Sequence, residues 1–246
     1  MRHCLQRGCW LFMVWGLLLL TVFGDVVFIR WEIKMSQLKC DVLVVGPVMT
    51  NCYFLYREDT MDCVLVDPGD EFNRIKDRID RKGFKVQAVL LTHGHFDHIL
   101  AVEQVKNEYN VPVYAPEGEK EVLQSPGKNL SGMMGGAPVT LEADIYLKDG
   151  EEIELLGRKV RCISTPGHTC GGMCYYLPEE LLLFSGDTLF QESVGRTDFP
   201  TSSTSQLIRS IRTKLFVLPG EVRVLSGHGE MTTIQNEKQF NPFAVE

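Results

Sequence analysis

Five of the six histidines in this 246-residue chain fall in three short stretches. His93, His95 and His98 lie in THGHFDH, residues 92–98, which also contains Asp97. His168 stands in TPGHTCGG, residues 165–172, and His228 in SGHGE, residues 226–230. Asp187 occupies a fourth stretch, SGDTLF, residues 185–190. Imidazole and carboxylate are borderline ligands suited to zinc or iron. Two positions apart, His93 and His95 point the same way in extended backbone, and Gly94 between them leaves room for tight geometry. Asp97 and His98 are adjacent and point differently, so they can serve a second ion. A cluster of this density is read as a metal site rather than as scattered surface histidines.

Each stretch follows an apolar run that reads as a strand, which puts the candidate ligands on loops held by a rigid sheet. The pattern predicts strands over 41–46, 52–56, 62–66, 86–91 and 111–114. Helices are expected over 71–82, where Phe72, Ile75 and Ile79 recur at helical spacing, and over 99–109. Residues 125–139 form a loop with four glycines and two prolines around Met133 and Met134. It either covers the site or simply connects. Further strands are expected at 153–156, 160–164, 173–177, 181–184 and 222–225, and a helix at 202–215. Two similar halves of strands and helices imply two packed sheets with helices outside, an α/β (α+β) class.

Composition narrows the chemistry. The formal net charge is −7, and no compact Lys/Arg run offers the basic patch that nucleic-acid binding usually needs. Small-molecule substrates are expected, and no nucleic acid. The eight cysteines form no zinc-finger array, and Cys40, Cys52, Cys63 and Cys162 sit in apolar runs as small buried hydrophobes. A reducing compartment follows. No GxSxG elbow supports a serine triad, and no cysteine has a spare histidine partner, because only His3 remains outside the cluster.

Residues 1–34 stand apart from a domain spanning 35–246. Arg2 and Arg7 precede the apolar run Cys9–Gly24, which resembles a signal peptide or an anchor. Its 16 residues fall short of the about 20 needed to span a bilayer. Alternatively, Met35 opens the soluble domain as the true start. On that reading the protein is cytoplasmic; on the other it is exported or membrane-anchored, with a membrane partner.

The run His93-Gly94-His95-Phe96-Asp97-His98 resembles the HxHxDH signature of the metallo-beta-lactamase superfamily, and His168, Asp187 and His228 match its remaining ligand positions in order. The flanks GRTDFP at 195–200 and NPF at 241–243 resemble its hydroxyacylglutathione hydrolase (glyoxalase II) branch, in a compact form. The resemblance implies an αββα sandwich. It implies two Zn(2+) per chain, with Fe or Mn as substitutes: one ion on His93, His95 and His168, the other on Asp97, His98 and His228, with Asp187 shared. Three residues per ion and a bridging carboxylate leave a position for water. Asp97 is the expected catalytic group, orienting that water or taking its proton. Asp67, in VLVDPG, is expected to brace a ligand histidine. Arg196 and Asp198 either order the Asp187 loop or meet an anionic substrate.

The expected reaction is hydrolysis of a thioester such as a hydroxyacylglutathione by a dizinc-activated hydroxide. The chain ends soon after its last ligand, with Lys238 the sole basic residue of the tail. The resemblance is therefore expected to be to the compact members of the branch rather than to the glutathione-specific ones, which carry a basic C-terminal region. A mononuclear-iron persulfide dioxygenase, or a small-molecule phosphodiesterase or lactonase, stands as the alternative. Oligomeric state is not readable from these residues.

Overall fold

The computed structural model describes residues 38–133 and 137–243 throughout, with the backbone of three strands between residues 13 and 30. The chain divides into two compact units, Met1–Ser36 and Gln37–Glu246. In the first unit β1 (Met13–Val14), β2 (Leu17–Val22) and β3 (Asp25–Arg30) form an antiparallel sheet, with Leu17 opposite Arg30 and Val22 opposite Asp25. Part of the apolar run Cys9–Gly24 lies outside the described residues. Among the described residues, no helix is long and apolar enough to cross a membrane.

The second unit carries two six-stranded sheets. The first is ordered as in the chain: β4 (Leu38–Val45), β5 (Thr50–Arg57), β6 (Asp62–Val66), β7 (Lys85–Leu90), β8 (Val113–Pro116) and β9 (Ile145–Leu147). β4 to β6 pair antiparallel, and β6 to β9 pair parallel. Parallel neighbours need crossovers. These contain α1 (Phe72–Lys82), then α2 (Phe96–Ile99) and α3 (Val102–Tyr109), then α4 (Lys120–Leu123).

The second sheet begins as an antiparallel meander of β10 (Glu152–Leu155), β11 (Arg158–Ser164), β12 (Met173–Leu177) and β13 (Leu182–Gly186). A short ribbon, β14 (Leu189–Phe190) and β15 (Ser193–Val194), follows. Helix α5 (Thr204–Ser210), capped by Ser203, then leads to β16 (Arg223–Ser226), which lies parallel to β13. β17 (Thr232–Thr233) closes the edge, and α6 (Ile234–Phe240) follows it.

Both faces of the central strands are buried, so their apolar runs are continuous and the two-residue period sorts side chains between layers. In β5, Cys52 and Phe54 meet Ile75 and Ile79 of α1 and Val102 and Val105 of α3, while Tyr53 and Leu55 enter the space between the sheets. From the other sheet, Met173, Tyr175, Leu182 and Phe184 fill that same space. Cys174, Leu183 and Val224 point outward onto Leu207 of α5 and Ile234 of α6. The result is the expected αββα sandwich. Burial of each large apolar side chain here contributes about 1.5–3 kcal/mol.

Two helices differ from expectation. The 99–109 helix begins at Val102, because the amides of Leu100 and Ala101 bond back to the carbonyls of Gly69 (3.1 Å) and Pro68 (3.1 Å). This leaves Asp97 and His98 on a separate turn, α2. The 202–215 helix is α-helical to Ser210 and continues as a wider π-type turn over Ile211–Leu215. The described cysteines are all free thiols. Cys52, Cys63, Cys162 and Cys174 are buried as expected, and burial pushes Cys162 up to about 12 and Cys174 to about 11. Cys40 does not follow the expectation, since it is exposed on the edge strand β4.

Candidate metal centre

The candidate ligands all follow the C-terminal ends of strands. His93 and His95 follow β7, and Asp97 and His98 ride on α2. His168 lies in the β11–β12 loop, Asp187 directly after β13, and His228 just after β16. One segment with four ligands therefore comes from the first sheet and three segments with one ligand each from the second, and the sandwich end brings them together. Tyr175 of β12 donates its hydroxyl to the carbonyl of Leu91 (2.6 Å), two residues before His93. Across the same seam Asn51 N–H bonds Gly227 O at 2.7 Å, and the Tyr53 hydroxyl bonds Ser226 O at 2.7 Å.

Three groups within this cluster place their ligand atoms within 4.8 Å of one another: His93, His95 and His168; His93, His98 and Asp187; and Asp97, His98 and His228. Nδ1 of His95 lies 2.9 Å from Nε2 of His168. Asp187 faces three imidazoles, with oxygens 3.5 Å from His168 Nε2, 3.4 Å from His98 Nε2 and 3.4 Å from His228 Nε2. Asp97 Oδ2 lies 3.2 Å from His228 Nε2 and 3.5 Å from His98 Nε2. The buried Nε2 atoms of His93 and His98 and Oδ1 of Asp187 make no hydrogen bond. Buried polar atoms left this way cost about 1–3 kcal/mol each, and a cation between them removes that cost. The donor set fits divalent metal ions.

Most of the remaining ring nitrogens are held. Asp67 ties the two ends of the THGHFDH stretch together: its Oδ2 meets His98 Nδ1 (2.9 Å) and accepts from Thr92 Oγ1 (2.7 Å), and its Oδ1 accepts from Thr92 N (2.8 Å). Thr92 Oγ1 is also 3.1 Å from His93 Nδ1. His168 Nδ1 faces the carbonyl of Arg196 at 2.8 Å, and His228 Nδ1 that of Val48 at 3.1 Å. Such partners fix ring orientation and tautomer. Gly227 leaves room for this convergence, since a Cβ there would lie 2.1 Å from Asp187 Oδ1 and 2.8 Å from His98 Cε1.

Charge in the cluster follows burial and pairing. Burial holds His93 well below the ordinary histidine range, and burial with the nearby His168 brings His95 down to about 3. Burial also opposes protonation of His98 and His228, but facing carboxylates win there. His98 is raised well above its ordinary value by Asp97, Asp187 and Asp67, and His228 reaches about 10 beside Asp187 and Asp97. For Asp97 and Asp187, burial pushes upward, yet the imidazoles outweigh it and hold both carboxyls down.

A cleft of about 340 Å³ opens over the cluster, with His95, Asp97, His168, Asp187 and His228 in its floor. Val48, Phe96, Leu130, Phe190, Val194 and Phe199 make its walls apolar. The loop over 125–139 supplies Leu130 and is pinned by Asn129 O, which accepts from Phe96 N (2.8 Å). Met133 instead faces solvent, and Met134 lies outside the described residues. Arg196 also lines the cleft. Its guanidinium pairs with both Asp198 oxygens (2.8 and 2.7 Å) and lies 4.1 Å from the Phe199 ring centre. Cys170 is exposed and reaches Gly118 O, away from the ligand atoms.

Sequence reasoning missed four contributors. Thr50 donates to Asp97 Oδ2 (3.0 Å) and pairs across with His228 as an isolated bridge. Asn51 and Tyr53 tie the same strand to the His228 loop. Buried Glu119 joins two ligand loops. Thr50 and Asn51 are the polar start of an otherwise apolar strand, which was a usable signal. Glu119 sits in PEGEKE, which reads as a solvated acidic run.

The metallo-beta-lactamase superfamily model matches residues 45–228, from the end of β4 to the last candidate ligand. The chain belongs to the metallo-beta-lactamase superfamily. Among its relatives is the probable metallo-hydrolase YqgX of Bacillus subtilis (strain 168), 40% identical over 200 residues, which cover 81% of this chain and 94% of that protein. The hydroxyacylglutathione hydrolase GloC of Haemophilus influenzae is 34% identical, covering 82% and 96%. The solved structure of the BLEG-1 B3 metallo-beta-lactamase superposes with a TM-score of 0.81 at 38% identity, covering 85% of this chain and all of that one. The protein is a metallo-hydrolase of this superfamily, with His/Asp groups of the kind that bind divalent metals.

Proposed function

We propose that the protein hydrolyses a thioester, with a hydroxyacylglutathione-type conjugate as the leading substrate, at a centre of two divalent metal ions, zinc in first place and iron or manganese as substitutes. The observation that carries this reading is the convergence of His93/His95/His168 and Asp97/His98/His228 around one shared carboxylate, Asp187, on the floor of an open cleft. GloC, a hydroxyacylglutathione hydrolase, supports the thioester choice by similarity.

Two divalent ions held there would supply Lewis-acid polarisation and a water acidified to near neutral pH. The chain's own groups do the rest. Asp97, fixed by Thr50 and facing His228, orients the attacking water and takes its proton. Its depressed pKa keeps it ionised at neutral pH, so that it can accept a hydrogen bond from that water. The apolar walls exclude bulk water from the acyl group, which strengthens each polar interaction on the floor. A thiolate leaves without a strong general acid. Arg196 and Asp198 order the loop that holds His168, since the Arg196 charge is paired and its carbonyl faces that imidazole.

The test is turnover of S-lactoylglutathione by zinc-loaded protein, run beside a lactone, a small phosphodiester and oxygen uptake with glutathione persulfide. Thioester loss by the zinc-loaded protein that disappears in Asp97→Asn, together with weakened zinc retention at the Asp97/His98/His228 centre, is the expected result. Oxygen uptake with iron and no thioester loss would replace this reading by the dioxygenase. Turnover of lactone or phosphodiester alone would keep the metal centre and discard the thioester.

A further inference from the structure

Glu119 is fully buried on the turn that follows β8, outside every motif that carries a candidate ligand. Its Oε2 accepts from the backbone N–H of Gly94 (2.8 Å), between His93 and His95. Its Oε1 accepts from the N–H of Gly171 (2.8 Å), in the loop of His168. One carboxylate thus spans segments 25 residues behind it and 52 ahead of it. The contact is built for closeness. A Cβ on Gly171 would lie 2.1 Å from the carbonyl carbon of Gly118, and one on Gly118 would lie 2.7 Å from Gly171 Cα. Backbone therefore packs directly on backbone beside the carboxylate. Leaving a carboxyl this deep is costly unless its oxygens are bonded, and here both are. No contact joins Glu119 to the loops of Asp187 or His228 among the hydrogen bonds of the described residues.

We propose that Glu119 is a positioning residue that clamps the two loops of the His93/His95/His168 centre together and sets the metal affinity of that centre selectively. The carboxylate fixes the spacing between a pair of ligands from one sheet and a single ligand from the other. Other groups hold the Asp97/His98/His228 centre: Thr50 bonds Asp97, and Asp67 meets His98 directly while also holding Thr92 beside His93. The inference rests on the two-centre reading of the site.

Its test measures zinc alone, by competition with a chromophoric chelator, on the full chain in two backgrounds. His228→Ala leaves the His93/His95/His168 centre, and His95→Ala leaves the other. Glu119→Gln keeps the volume but turns an NH2 group toward an N–H donor. In the His228→Ala background it is expected to weaken zinc binding about 10–100-fold, the range for lost ligand-supporting bonds. In the His95→Ala background the affinity is expected to stay within about twofold. Glu119→Asp, which keeps the charge but cannot reach both loops, gives the same split should the amide variant not fold. Equal weakening in both backgrounds, or none in either, overturns the clamp. Absence of zinc binding in both backgrounds with Glu119 intact overturns the two-centre reading beneath it.

Discussion

Protons and metal ions compete for the same atoms in this cluster, so its pH behaviour is opposed on the two sides of neutrality. His228 is raised from 6.5 to about 10 and His98 is raised as well. Their pairing stabilises the metal-free fold fully below the unfolded value and is lost as pH climbs through the folded one. His93 and His95 are depressed, so their contribution is present above the unfolded value and lost as pH falls below it. Metal-free protein is therefore expected to be most stable near pH 6.5–7 and to lose stability in both directions, read by thermal melting from pH 4 to 10 in chelator. A melting point that stays level from pH 6.5 to 10 would contradict the pairing of His98 and His228 with the carboxylates. Zinc uptake at neutral pH should release roughly two protons per chain, since bound imidazole must be neutral. Removing the brace at Asp67 should cost more than a surface charge would. Asp67→Ala frees His98 Nδ1 and both Thr92 donors, and zinc affinity is expected to fall about 10–100-fold by chelator competition. Gly227→Ala should abolish zinc binding altogether, because its methyl occupies the space of Asp187 Oδ1.

At the scale of elements, the NPF tail finds a use in the cleft wall. Asn241 donates to Ser193 O (2.9 Å) and to Glu237 Oε2 (2.8 Å), and Glu237 also accepts from Glu192 N (2.9 Å). Helix α6 thus holds the β14–β15 ribbon, which carries Phe190, Ser193 and Val194 to the cleft. Asn241→Ala is expected to raise KM several-fold at unchanged zinc content. A fall in kcat at constant KM would instead place its effect on the reacting groups. The ribbon and the tail helix were not legible beforehand. Two-residue strands carry no period, and the seven residues of α6 are too few to separate from loop. The long apolar strands were legible because continuous burial of β5, β6, β12 and β13 writes unbroken apolar runs, and α1 because Ile75 and Ile79 recur at helical spacing. His93, His95, His98 and Asp97 were legible from their density in six positions. Thr50 and Glu119 act through hydrogen bonds across 47, 25 and 52 residues, and no local pattern reports such partners.

For the molecule as a whole, the two halves of the sandwich meet in two places: the core between the sheets and the cluster at its end. The core is apolar contact between the two sheets. Phe184 packs edge-on against Tyr53 of the opposite sheet with ring centres 5.4 Å apart, and Phe184→Ala is expected to cost about 3–5 kcal/mol in denaturant unfolding. Loading the cluster adds further stability. Free zinc at 100 times its dissociation constant should stabilise the fold by about 2.7 kcal/mol per site. The central claim is that one shared carboxylate serves two metal ions, and native mass spectrometry of the full chain after zinc loading tests it most directly. The account predicts two zinc ions in the unaltered protein and weakened retention of both in Asp187→Ala. A single metal ion per chain, or an Asp187→Ala protein that keeps two, would contradict it.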